Sequence, residues 1–196
     1  PHAYAGGLGP WLQGFIGQSA RFIHRVAALG LMAAPLIWLL GDTKSLWPDL
    51  KELLAFGKAD MQYMMVAPIH YTTGKGELPQ QGKYNGGHKM NFYIVIFTFL
   101  GFIVSGLWMW FGRGPVAAKD TFNLMKLIHS VSFWIALYMG LAHMYLTAIH
   151  PFTSRSLEAM LKGRLELNYA KAEHGIWVDR EIKNGTADIT EEGKAS

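Results

Sequence analysis

Two stretches of this sequence run for more than twenty residues without a charged side chain, and nothing else in it narrows the possible folds so far. Residues 90–112 read MNFYIVIFTFLGFIVSGLWMWFG and residues 127–149 read LIHSVSFWIALYMGLAHMYLTAI. At about 1.5 Å of rise per residue, roughly 20 mainly apolar residues cross the hydrocarbon of a bilayer. Both stretches meet that length and end on aromatic residues that suit the membrane interface. Each is therefore expected to be a transmembrane helix. A third stretch, residues 26–40, has only 15 uncharged residues and reaches spanning length, over residues 20–40, by taking in Arg21, His24 and Arg25. Pro35 inside it is tolerated in a membrane helix and predicts a kink. The expected fold class is an all-α membrane protein, a transmembrane helix bundle.

Charge and composition agree. Charged residues make up 16% of the 196, against about 25% in ordinary soluble domains. There is no cysteine, which excludes disulfide staples, protein-held iron-sulfur clusters and c-type haem attachment. Residues 41–89 carry six Lys and residues 151–196 seven Lys or Arg, whereas residues 1–20 carry none and residues 112–126 three. The positive-inside rule places the 41–89 loop and the C-terminus in the cytoplasm. These basic residues are spread along membrane-facing loops, so they read as inside-positive charge and not as a nucleic-acid patch. Within the loop, DLKELLAFGK sets Leu50, Leu53 and Leu54 at helical spacing and predicts an interfacial helix. A membrane domain over residues 1–182 is expected, followed by a polar, disordered tail over residues 183–196. The chain opens on Pro1 without the features of a signal peptide. Three spans starting from the outer side suggest a further helix before the first.

Three of the eight histidines lie in or beside the apolar spans, where an imidazole is costly unless it is paired or bound. His24 falls about one turn inside the outer end of the first span and His129 at nearly the same depth in the last. His143 follows 14 residues later, within about 40° of the same helix face and roughly 21 Å further along the axis. This suits two b-type haems stacked across the bilayer, with axial imidazoles from facing helices. Arg21 and Arg25 flank His24 where haem propionates need counter-charge. Ser130 and Ser132 are candidate hydrogen-bond partners, and Gly30, Gly106 and Gly140 candidate points of close approach for a flat macrocycle. The competing reading is that each histidine is a hydrogen-bonded packing residue.

Ahead of the second span stands the polar segment Gly82, Lys83, Tyr84, Asn85, Gly86, Gly87, His88, Lys89. Free N–H groups at the start of a helix are a place to hold a quinone carbonyl. Its competing reading is a turn followed by a helix cap.

With GKYNGGHKMNFY, the 14-residue histidine spacing, RFIHRVAALG and LEAMLKGRLELNYAKAEHGIW on view, the chain resembles the cytochrome b (gamma) subunits of membrane-bound respiratory formate dehydrogenases. The resemblance covers residues 1 to about 182. It implies a four-helix subunit with two haems b, electrons arriving from an iron-sulfur (beta) subunit tied to a catalytic (alpha) subunit, and menaquinone reduced on the cytoplasmic side of the bacterial inner membrane. It leaves room for a higher oligomer of the complex. By the same resemblance His24 and His129 are the axial pair of the outer haem, and His143 is one ligand of the inner haem, whose usual partner sits on a preceding helix. Asn85, Gly87 and His143 match positions around the quinone. His88 stands where the family usually has Gln and is read as a proton relay, with a second inner ligand as the alternative. Asn85 and His88 are thus the candidate catalytic residues, one orienting a carbonyl and the other delivering protons. His2, His150 and His174 are expected at the surface or interface, and His70 has no assigned role. Rival readings are a hydrogenase or thiosulfate reductase cytochrome b, a haem-free structural anchor, and a small transporter.

Overall fold

The computed structural model describes residues 19–41, 43–112, 119–187 and 194–195. His2 and the first 18 residues lie outside them. Two compact units, residues 1–48 and 49–196, are described each by itself.

The first unit contains α1, Ala20–Gly41, a Leu- and Ala-rich helix that runs on through Pro35. It buries none of its residues and is long and apolar enough to cross a membrane. His24 and Arg25 are exposed in its first two turns. The helix α2, Thr43–Leu54, begins in this unit and ends in the next.

The second unit continues with α3, Lys58–Thr73, and two long helices, α4, Gly86–Phe111, and α5, Lys119–Ala148. Short α6, Ser156–Lys162, is followed by α7, Leu167–Asn184. Two-residue strands β1, Leu165–Glu166, and β2, Lys194–Ala195, pair antiparallel. The tail expected from residue 183 thus starts as the last turn of α7, and residues 188–193 and 196 lie outside the described set.

Helices α4 and α5 reach spanning length and hydropathy, which with α1 makes three such helices. Their 26 and 30 residues exceed the roughly 20 that cross the hydrocarbon, so each extends polar turns beyond it: Gly86 to Lys89 on α4, Lys119 to Lys126 on α5. The pair is inside-out by the standard of a soluble core. Thr98, Ser105 and Ser132 are buried, while Phe97, Leu100, Val104, Leu127, Val131, Trp134 and Leu141 are exposed. In lipid the apolar residues are already solvated, so the helices approach through small and hydroxyl-bearing residues instead. Gly101 faces Ser132, and a methyl group on Gly101 would meet the Ser132 hydroxyl at 2.2 Å. Thr98 and Ser105 return their hydroxyls to the helix carbonyls of Ile94 and Gly101, so neither is left unsatisfied.

Around the start of α4 the polar segments form a conventional small core. Leu53, Tyr63, Ala67, Ala170 and Val178 are buried there. Of the leucines expected on an interfacial helix, Leu53 is buried in this core while Leu54 is 51% exposed. The key link is ionic: the Lys89 ammonium donates to Asp60 at 3.0 Å and to the Ala55 carbonyl at 2.8 Å, both side chains under 10% exposed. Asp60 also accepts from the Gly57 N–H at 2.7 Å, capping α3. Removing one member of such a pair leaves an uncompensated buried charge. Asp60→Ala is therefore expected to cost about 3–5 kcal/mol, read as a lower thermal midpoint of the detergent-solubilised protein. Adding Lys89→Met should recover part of the loss, and an unchanged midpoint in the single variant would refute the account.

Candidate functional site

His129 lies half-buried on α5 against α4. Its Nδ1 is 2.9 Å from the Ser105 hydroxyl, and its ring meets Phe102 edge-on at 5.1 Å between centroids. Gly106 closes the other side, since a methyl group there would touch the His129 ring at 3.4 Å. The imidazole is thus held by one nitrogen and wedged by two neighbours, the way a metal-ligating histidine is oriented by its second nitrogen. Gly106, expected as a point of approach for a macrocycle, has the His129 ring beside it. Gly30 and Gly140 face open space, and Ser130 is exposed while Ser132 packs on Gly101. Ser105 and Gly101 were missed in the sequence, although a Gly and a Ser four apart in an apolar helix form a packing signature.

At the opposite end of α4, Asn85 is the N-cap, and its side-chain oxygen accepts from the His88 N–H at 3.0 Å. The turn-and-cap reading of this segment is therefore met. Yet the segment is more than a cap. Asn85 is buried and its amide donates to the Tyr63 hydroxyl at 2.9 Å. Gly86 presses on the Asp60 backbone so closely that a methyl group would stand 2.5 Å from its carbonyl oxygen. The acidic side of α2 clasps the loop, with Glu52 accepting from the Lys83 N–H and Asp49 pairing with the Lys83 ammonium, each at 2.5 Å.

His88 points into this cap. Its Nδ1 is buried without a hydrogen-bond partner, a rare state for a polar atom. His174 of α7 stacks on it with centroids 5.8 Å apart, and His143 of α5 lies within electrostatic reach. Among the described residues no three His, Asp or Glu side chains are grouped to hold one metal ion. His24 and Arg25 belong to the other unit, and Arg21 is exposed on the same helix.

Two histidines expected at the surface or interface, His174 and His150, bond to distant backbone carbonyls. His174 donates from Nδ1 to the Gly82 carbonyl at 3.0 Å, which fixes its tautomer. His150 is buried, donates from Nε2 to the Tyr71 carbonyl at 3.2 Å and packs between Tyr71 and Tyr145. His70 donates to the Gly76 carbonyl at 2.7 Å and closes the turn after α3. These partners are 79 to 92 residues away for His150 and His174, so no local pattern announces them.

Burial holds the His174 pKa below its usual 6.5, against the opposing pull of the Gly82 bond and of the nearby Glu173 and Glu52 carboxylates. The ring stays neutral when docked. An undocked ring takes up a proton as pH falls through about 6.5, so the docked state loses stability on acidification. Hydrogen-exchange protection of α7, corrected for intrinsic rates, should fall between about pH 7.5 and pH 5.5. His174→Asn keeps a donor but cannot titrate, and should flatten that dependence.

Comparison with known proteins follows the same lines. The sequence profile of the prokaryotic cytochrome b561 family matches residues 3–163. The cytochrome b556(Fdn) subunit of the nitrate-inducible formate dehydrogenase of Escherichia coli K12 is 24% identical over 182 residues, covering 90% of this chain and 77% of that protein. The corresponding subunit of Shigella flexneri aligns with the same identity and coverage. A profile matching most of the chain, together with three spanning helices and an imidazole wedged between two of them, makes this an integral membrane protein of the prokaryotic cytochrome b561 family.

Proposed function

We propose that this chain is the haem b subunit of a respiratory formate dehydrogenase of the bacterial inner membrane. It passes electrons from an iron-sulfur subunit on the outer face to menaquinone on the cytoplasmic face, with its C-terminus cytoplasmic. The observation that carries the reading is His129, oriented through Nδ1 by Ser105 between two spanning helices.

The donor chemistry fits a b-type haem. Imidazole is an axial ligand of such haems, and with Nδ1 of His129 bonded to Ser105, Nε2 is the nitrogen that would hold the group. His24 is assigned as the partner ligand from helix register in the sequence, with Arg21 and Arg25 as propionate counter-charges. His143 is assigned to a second, inner haem. When bound, haem b supplies one-electron transfer across the bilayer, at a potential set by its axial ligands and their hydrogen bonds.

On the inner side, the chain's own groups do the remaining work. Asn85 is anchored by Tyr63 through one amide N–H, and its second N–H is the group that orients a quinone carbonyl. Gly87 lets the ligand approach the backbone, and His88, with Nδ1 buried and unpaired, relays a proton to the reduced oxygen. Proton uptake on the cytoplasmic face, opposite to where electrons arrive, separates charge across the membrane. The formate dehydrogenase named by the Escherichia coli relative supports the alpha and beta partners.

The test is a reduced-minus-oxidised visible spectrum with pyridine-haemochrome quantitation on the purified complex. Two haems b per subunit are expected, falling to one in His143→Ala with menaquinone reduction lost, and falling likewise in His129→Ala. A complex without haem b would overturn the reading.

A further inference from the structure

Beyond the loop itself, a continuous row of hydrogen-bonded groups leads away from Asn85. The Asn85 amide donates to the Tyr63 hydroxyl at 2.9 Å, Tyr63 is 2.6 Å from the Tyr71 hydroxyl, and Tyr71 donates to the Glu173 carboxylate at 2.8 Å. Tyr63 also lies 3.4 Å from the same carboxylate oxygen. Asn85, Tyr63 and Glu173 are buried. Glu173 sits on α7, outside residues 3–163 that match the family profile. A buried carboxylate that meets two phenols, and no cation among the described residues, is an expensive arrangement to keep for packing alone.

We propose that Glu173, Tyr71 and Tyr63 form a proton-transfer route that carries protons from the cytoplasmic side to the quinone held at Asn85. The proposal rests on the reading that menaquinone is reduced at the 82–89 loop. Reduction of one quinone takes two electrons and two protons and forms an O–H bond at each carbonyl oxygen. One proton takes this route and His88 supplies the other: the Tyr63 O–H bond breaks as the bond to the quinone oxygen held at Asn85 forms. Tyr71 then gives its proton to Tyr63, and the Glu173 carboxylate, having taken a proton from water, passes that proton to Tyr71. Both phenols and the carboxyl end as they began, and the electrons are those delivered through the subunit's haem b.

Three features favour transfer over mere packing. The row from Asn85 to Glu173 is unbroken, and its central bond, between the Tyr63 and Tyr71 hydroxyls, can run in either direction, as a relay requires. Burial and the Glu173 charge push both phenols above the usual tyrosine range, so each keeps its O–H at neutral pH. The groups facing Glu173 are Tyr63 and Tyr71 from α3 and Tyr169 and His174 from its own helix, none of them cationic when His174 is neutral.

The experiment uses the whole purified complex, with haem b reduced by stoichiometric dithionite and mixed in stopped flow with menadione or with ferricyanide. Menadione needs protons and ferricyanide does not. In Glu173→Gln, which keeps the acceptor oxygen but cannot pass a proton, oxidation by menadione should slow about 100-fold, the low end of what a positioned proton donor contributes. The solvent deuterium effect should rise, while ferricyanide oxidation, menadione affinity and haem content stay those of the parent. Glu173→Asp should restore part of the rate. Oxidation of Glu173→Gln by menadione at the parent rate, with the parent isotope effect, would overturn the route and leave the quinone reading standing. A parent complex whose haem menadione cannot oxidise would overturn both. Should Glu173→Gln fail to assemble, Tyr71→Phe, which removes only the hydroxyl, decides the matter by the same criteria.

Discussion

The buried ion pair between Lys89 and Asp60 is the contact on which the polar end of the second unit depends. It joins the first turn of α4 to the first turn of α3, and because both charges are out of water neither can move without the other. With that junction fixed, Gly86 is pressed on the Asp60 backbone and Asn85 is left at the cap.

Within the hydrocarbon the logic inverts. No water is available to a hydroxyl or an imidazole, so polar side chains turn inward and satisfy one another or the helix carbonyls. Ser105 does both, donating toward the Gly101 carbonyl and meeting Nδ1 of His129. One hydroxyl thus ties the helix pair together and orients the ring proposed to coordinate haem. The apolar faces left exposed on both helices are the surfaces that lipid or a partner subunit covers.

The polar cap has a different economy, that of a small soluble domain. The cap is built from segments far apart in the chain, with α2 clasping the loop through Glu52 and α7 through Glu173, His174 and the Ile176 N–H to Gln81 carbonyl bond. Gly175 is squeezed against Gln80, where a methyl group would stand 1.7 Å from the side-chain oxygen. The last helix is therefore part of the loop's architecture, and the proposed quinone site includes residues that the family profile does not reach.

The three long helices, the polar segments between them and the helix cap at Asn85 were legible in the sequence alone, because uncharged runs of spanning length and helix-capping residues are local signals. The family resemblance also rested on contiguous motifs. Only tertiary structure decided that Ser105 partners His129, that His174 stacks on His88, that His150 is buried, and that Tyr63, Tyr71 and Glu173 line up behind Asn85. Apart from Tyr63 and Tyr71, both on α3, these contacts join different elements, from 22 residues apart for Tyr63 and Asn85 to 110 for Tyr63 and Glu173. Hydropathy and periodicity report which face of a helix is apolar. They carry no information on which distant group a buried polar atom will find, since that is settled by how the helices dock.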